Sequence, residues 1–183
     1  MFISLQELEV KKVEFSQQLA PGTLDLGAEL RQSGVLNTKG RAELLEEHRG
    51  GKNNVVEDIR VLGDFSTTIE VRCARCVEPV PTKVGGDFDL LYRPLGVDAG
   101  HDERSISEAE TEIGYYSGDG IQLEDVLREQ VLLALPVKVV CSENCRGFCA
   151  GCGRNLNTEA CVCEERPSDP RWAALADIKD KLK

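Results

Sequence analysis

The stretch from Cys141 to Cys163, CSENCRGFCAGCGRNLNTEACVC, holds six of the eight cysteines within 23 residues, and it constrains the fold more than any other feature. Everything upstream reads as the body that presents it. The run Cys149-Ala-Gly-Cys152-Gly153 has the form of a metal knuckle, in which two thiolates two residues apart grip one ion while a glycine lets the backbone turn tightly behind it. Cys161 and Cys163 return after eight residues that include Gly153, Asn155 and Asn157, all suited to a turn. Four sulfurs then suffice for one tetrahedral, soft-ligand site, with structural Zn2+ as the expected ion.

Six sulfurs exceed what one such site takes. The favoured set is Cys149, Cys152, Cys161 and Cys163, with Cys145 or Cys141 as alternate ligands or spare thiols. A disulfide framework is the competing reading, since an even cysteine count in a small secreted domain usually means bonded pairs. The opening residues, MFISLQELEV, carry neither a basic flank nor an apolar core, so no secretory leader is expected there. An iron–sulfur cluster is the lesser metal candidate.

Charge bears on what such a module can touch. The formal net charge is −10, which repels phosphate at long range unless it is unevenly spread. It is uneven: residues 137–183 carry eight Lys or Arg against seven Asp or Glu, leaving −11 on residues 1–136. Four thiolates around one divalent ion add about −2, so the tail has no general basic patch and RNA contact needs local clusters such as Arg146 and Arg154.

Residues 5–9 suggest a helical turn and residues 12–19 a first strand with Val13 and Phe15 on one face. Pro21 and two glycines make the following segment a loop. Residues 30–36 and 41–47 are candidate strands, although AELLEEH fits a helix equally. The alternation of Ile59, Val61, Phe65, Thr67, Ile69, Val71 and Cys73 predicts half-buried strands with Gly63-Asp64 as a turn or bulge between them. Residues 80–92 continue this antiparallel theme. Residues 94–111 read as a polar, acidic surface loop, and residues 112–116 as a brief strand before the Gly118-Asp119-Gly120 turn.

The best helix spans 123–135: Glu124 and Asp125 favour its positive end, Pro136 stops it, and Leu123, Val126, Leu127, Val131 and Ala134 recur at helical spacing. A terminal helix opens at Asp169-Pro170 and is anchored by Trp172. The expected class is α+β: an antiparallel β-meander or partly closed barrel packed by one or two helices. The expected division is a β-rich body over 1–136 with a docked cysteine-rich zinc module and terminal helix over 137–183. The longest apolar run is far short of a membrane span.

The remaining pair, Cys73-Ala-Arg-Cys76, closes a strand and can be a redox pair, half a metal site or two buried thiols. A strand setting disfavours thioredoxin-type chemistry, which needs a helix N-terminus beneath the first sulfur. Arg72 and Arg75 give the acidic body a small basic spot there. His48 and His101 are isolated in polar surroundings and expected to be exposed. No P-loop, GxSxG or HExxH is present, and no internal repeat stands out.

Taken in order, the CARC pair closing a strand, the LEDVLREQVLLALP helix, the CRGFCAGCGRNLN run, the CxC and the DPRWAAL segment resemble the YceD family of bacterial and plastid large ribosomal RNA subunit accumulation proteins. The match covers about residues 55–180 and is strongest in the last ~60. Cys73, Arg75 and Cys76 fall on the family's CxRC motif, and the six later cysteines on its cysteine cluster. Phe148 stands where leucine is usual.

The resemblance implies a cytoplasmic, non-enzymatic ribosome-biogenesis factor. Its expected partners are large-subunit ribosomal RNA, a basic ribosomal protein or both, with no membrane and no small-molecule substrate. Arg72, Cys73, Arg75, Cys76, Arg146 and Arg154 are the candidate contact residues. The alternatives are a metal- or thiol-dependent enzyme, such as a nuclease or redox protein, and a zinc-bearing interaction adaptor unrelated to ribosomes.

Overall fold

The computed structural model describes residues 1–48, 55–97 and 113–163. The predicted helix over residues 169–178, with Trp172, and most of the acidic loop over 94–111, with His101, lie outside these residues.

Alternating apolar and polar side chains build an open sheet, because each strand must turn one face to the core. Its main path is β2 (Val13–Leu19), β4 (Leu36–His48), β5 (Val55–Arg72), β6 (Pro79–Pro94) and β7 (Ile113–Tyr116), with the short β3 (Arg31–Gln32) pairing the far end of β5. Strands β2, β4, β5 and β6 are antiparallel, and β7 joins β6 in parallel. The α+β class and the meander therefore hold. Among the described residues β2 and β7 do not pair with each other, so the alternative of a partly closed barrel does not.

One open local reading resolves and one expectation changes. Residues 41–47 are strand throughout, as the central part of β4. Gly63-Asp64 is neither turn nor bulge but lies inside β5, in an unbroken register from Val55 to Arg72. A cross-strand row explains this glycine: Phe15 faces Gly40, Gly40 faces Gly63, and Gly63 faces Phe88. A Cβ on Gly40 would lie 2.6 Å from Phe15 Cζ, and one on Gly63 would lie 2.9 Å from Phe88 Cζ. The two glycines thus make room for two aromatic rings on the core face.

That face is covered by α1 (Leu5–Val10), the small sheet of β1 (Phe2–Ser4) and β8 (Gly120–Gln122), the loop carrying Leu24 and Leu26, and α2 (Leu123–Leu133). Helix α2 buries Leu123, Val126, Leu127 and Val131, the face its spacing predicts, whereas Ala134 is its exposed C-cap. Gln32 fastens the loop from within, its Oε1 accepting from Leu24 N–H at 3.1 Å and its Nε2 donating to the Leu19 and Gly34 carbonyls. No described helix is long and apolar enough to cross a membrane.

Candidate metal centre

The eight thiols are free and form two separate tetrads. One is Cys149, Cys152, Cys161 and Cys163, the favoured set. The other joins Cys73 and Cys76, in the turn from β5 to β6, with Cys141 and Cys145 beyond α2. Within each tetrad all sulfurs lie within 4.8 Å of one another. Cys141 and Cys145 therefore stand apart from the Cys149 set, as members of the Cys73 tetrad.

Four thiolates at tetrahedral corners about 2.3 Å from one zinc ion would lie about 3.8 Å apart. The separations are Cys73–Cys145 3.9 Å and Cys76–Cys141 3.6 Å in the first tetrad, and Cys152–Cys161 3.7 Å and Cys149–Cys161 3.3 Å in the second. An iron–sulfur cluster would interpose its own iron and sulfide between the thiolates and spread them further, so both donor sets fit a single ion better.

Both tetrads start from the same backbone device. In one, Gly153 N–H donates to Cys149 O at 2.8 Å, Gly151 N–H to Cys149 Sγ at 3.3 Å and Cys149 N–H to Arg154 O at 2.8 Å. In the other, Val77 N–H donates to Cys73 O at 2.9 Å, Arg75 N–H to Cys73 Sγ at 3.4 Å and Cys73 N–H to Glu78 O at 2.8 Å. Gly153 has φ 72° and Val77 has φ 63°. Glycine adopts this left-handed backbone freely, whereas in a β-branched residue it is strained.

The tetrads differ in burial. Cys73, Cys76 and Cys145 are 1%, 7% and 5% exposed and pack with Val80 and Val140, leaving Cys141 at the surface. In the second tetrad Cys149 and Cys161 are half-buried, and Cys152 and Cys163 are exposed.

Burial opposes ionisation of Cys73, yet the backbone N–H groups of Arg75, Cys76 and Cys141 converge on its sulfur and bring it down to about 6. The backbone N–H of Cys152, the Cys161 thiol and the backbone N–H of Gly151 bring Cys149 down to about 6 as well. Their neighbours go the other way. A backbone N–H from Glu78 lowers Cys76, but burial and the surrounding thiols outweigh it and push Cys76 up to about 12. The thiols of Cys161, Cys152 and Cys149 push Cys163 up to about 12. The Asn157 side chain draws Cys145 below the ordinary thiol range as well, against its burial. Each tetrad thus sets at least one lowered thiol beside raised ones, a repulsion between thiolates that a divalent cation relieves.

The predicted contact residues separate into two groups. Arg72, Arg146 and Arg154 are exposed, Arg154 reaching Ala160 O at 3.4 Å and Glu159 at 3.7 Å. Arg75 is exposed as well, but its guanidinium is engaged, Nη1 donating to the carbonyls of Glu143 at 2.8 Å and Cys145 at 3.0 Å. Cys73 and Cys76 are buried against the other sulfurs, so neither offers a surface for RNA. His48 is exposed at the end of β4.

Sequence reasoning passed over Asn155 and Asn157 except as turn formers. Asn157 accepts from Arg146 N–H at 2.8 Å and donates to Cys145 Sγ at 3.4 Å, tying the loop between Cys152 and Cys161 to the other tetrad. Asn155 donates to Glu78 at 3.2 Å, across to the β5–β6 turn. Nothing in the residue pattern pairs Cys145 with Asn157, and only the fold brings them into contact.

A family model described as "Large ribosomal RNA subunit accumulation protein YceD" matches residues 61–179. An uncharacterized protein of Mycobacterium tuberculosis is 33% identical over 125 residues, which cover 68% of this chain and 58% of that protein. "Large ribosomal RNA subunit accumulation protein YCED homolog 1, chloroplastic" of Zea mays is 29% identical over 131 residues, 59% of this chain and 45% of that one. The Arabidopsis thaliana protein of the same description is 24% identical over 145 residues, 68% of this chain and 45% of that one. The chain thus spans about half the length of the curated relatives it matches. No solved structure matches.

Proposed function

The chain belongs to the YceD family, and from that membership we propose that it is a ribosome-biogenesis factor supporting the synthesis, processing or accumulation of large-subunit ribosomal RNA. The observation that carries this reading is the extent of the match: residues 61–179 take in most of β5, all of β6 and α2, and all eight cysteines. The shared part is therefore the sulfur-bearing end of the sheet and the segment docked on it.

Cys149, Cys152, Cys161 and Cys163 would hold a structural zinc ion. Such an ion supplies a cross-link whose binding energy is folding energy for a segment with little regular structure of its own. Four thiolates also complete the coordination shell and leave no position for a water nucleophile, which favours a binding role over hydrolysis. On this reading residues 1–136 form the β-rich body and residues 137–183 the module docked on it, working in the cytoplasm.

The exposed Arg72, Arg146 and Arg154 suit phosphate contacts, while the net charge of −10 favours a basic ribosomal protein for the rest of the surface. The test is deletion of the gene in its host, followed by complementation. Large-subunit ribosomal RNA should fall relative to small-subunit RNA, and be restored by the wild-type chain but not by Cys152→Ser. An unchanged ratio in the deletion strain would sink the proposal. If the purified chain binds RNA directly, its affinity should fall steeply with salt, and a flat response would assign the contact to protein.

A further inference from the structure

The tetrad at the β5–β6 turn calls for its own explanation, because the favoured zinc site uses none of its four sulfurs. Cys73 and Cys76 stand at the end of the longest hairpin in the fold, where Arg72 pairs with Pro79. Cys141 and Cys145 arrive from the segment after α2, which wraps this turn through two backbone–backbone bonds and one from backbone N–H to sulfur. Ala74 N–H donates to Val139 O at 2.8 Å, Phe148 N–H to Arg75 O at 3.2 Å and Cys141 N–H to Cys73 Sγ at 3.4 Å.

Buried thiols without a task need no such arrangement, since thiols packed as small apolar groups need not converge on a common point. Three independent features go beyond simple packing. The sulfur separations of 3.6 and 3.9 Å match a single tetrahedral ion. The backbone reproduces the Cys149–Gly153 knuckle bond for bond. It does so with Val77 held at φ 63°, a conformation a valine adopts only where its surroundings dictate it.

We propose that Cys73, Cys76, Cys141 and Cys145 form a second four-thiolate site for a zinc-type divalent ion, which fastens the C-terminal cysteine segment to the β5–β6 turn. As each sulfur–metal bond forms, the S–H proton leaves to solvent, and no sulfur changes oxidation state. The two sites divide the work. The Cys149 site closes a loop within the segment, whereas this one joins the segment to the sheet. Asn157 links them, since it lies between two ligands of one site and donates to a sulfur of the other.

The experiment is metal analysis of the full chain purified without added metal, together with Cys141→Ser and Cys163→Ser. Cys141 is the surface member of its tetrad, so its replacement disturbs the core least. The expected stoichiometry is two zinc per wild-type chain and one in each variant. Titration of metal-free wild-type protein with cobalt(II), read by the absorption of thiolate-bound tetrahedral cobalt, should saturate at two equivalents. This holds whether or not a variant folds.

Saturation at one equivalent, or Cys141→Ser retaining the full wild-type zinc, would overturn the second site. Iron with acid-labile sulfide at these cysteines would overturn it too. Zinc lost only in Cys163→Ser leaves the Cys149 site standing without this one, and zinc lost only in Cys141→Ser does the reverse. Neither result depends on the ribosomal assay.

Discussion

Asn157→Ala should loosen one metal site while leaving the other nearly untouched. The side chain makes three bonds that alanine cannot: Nδ2–H to Cys145 Sγ at 3.4 Å and to Asn155 Oδ1 at 2.9 Å, and Oδ1 from Arg146 N–H at 2.8 Å. A bond to a charged sulfur contributes about 1.5–3 kcal/mol, and a partly solvated backbone bond about 0.5–1 kcal/mol. Loss of an outer-shell partner typically costs about 10–100-fold in metal affinity, or roughly 1.4–2.8 kcal/mol. Only the bond to sulfur bears directly on the metal, and its range overlaps the outer-shell figure, so affinity at the Cys73 tetrad should fall about 10–100-fold. Among its described bonds Asn157 touches no sulfur of the Cys149 tetrad, whose affinity should change by less than about threefold. Competition with a chromophoric chelator resolves the two release steps, assigned with Cys141→Ser and Cys163→Ser. Asn157→Asp sharpens the test, because it keeps an acceptor for Arg146 N–H but turns a carboxylate oxygen toward the thiolate. It should therefore weaken the site more than alanine does. Two unchanged steps, or a shift confined to the Cys149 site, would refute the reasoning.

Further expectations concern the knuckles and the sheet. Gly153→Val should cost about 1–2 kcal/mol, whereas Val77→Asn should be neutral or stabilising, because asparagine tolerates left-handed backbone; equal losses in chemical denaturation would contradict the strained-knuckle description. Asp58→Ala removes the carboxylate that meets buried Arg93 at 2.8 and 3.1 Å but leaves Glu47 on Arg93 at 2.6 Å, and should destabilise by about 1–3 kcal/mol in urea unfolding. Its matching the wild type would show that the pair is not buried as described. The hydrogen bond from Arg60 holds Asp89 below the usual carboxylate range. Its contribution is therefore complete above that range and lost as pH falls through the lowered value. Asp89→Asn should melt slightly below wild type at neutral pH and together with it in strong acid, and a deficit persisting in acid would count against the Arg60 pairing.

Much of the fold was legible in the residues because local pattern and tertiary burial agree there. Helix α2 buries the face that its spacing marks, and the alternation from Ile59 to Val71 lies on one strand. The failures fall where a local signal has two physical uses. Gly63 looked like a turn because glycine permits one, but here it serves close approach to Gly40 and Phe88. AELLEEH satisfies both periods, and only pairing with β5 makes it strand. The Cys149 grouping was legible because its four cysteines lie within one short stretch. The Cys73 grouping was not, because half its cysteines close a hairpin and half follow α2. One signal was available: Cys-Ala-x-Cys occurs twice, as CARC and CAGC, and the second copy's glycine made only that copy look like a knuckle.

The position of the Cys73 tetrad also bears on how an acidic protein could present positive charge. Cys73 and Cys76 are fixed by the β5–β6 register, so half of that site is held by the sheet whatever else happens. The other half depends on a segment with little described regular structure, which the sulfurs, Arg75 and the two asparagines tie down. Arg72 directly precedes Cys73, Arg146 directly follows Cys145, and Arg154 lies one residue past the Gly153 turn. These three arginines are thus displayed by backbone that closes around a tetrad. With both sites closed, their spacing is set by the coordination geometry, and with either open it is not. A chain of net charge −10 cannot attract phosphate through its overall field, so any RNA contact would need this local and fixed arrangement. Metal would then govern partner binding through the placement of arginines that never touch it.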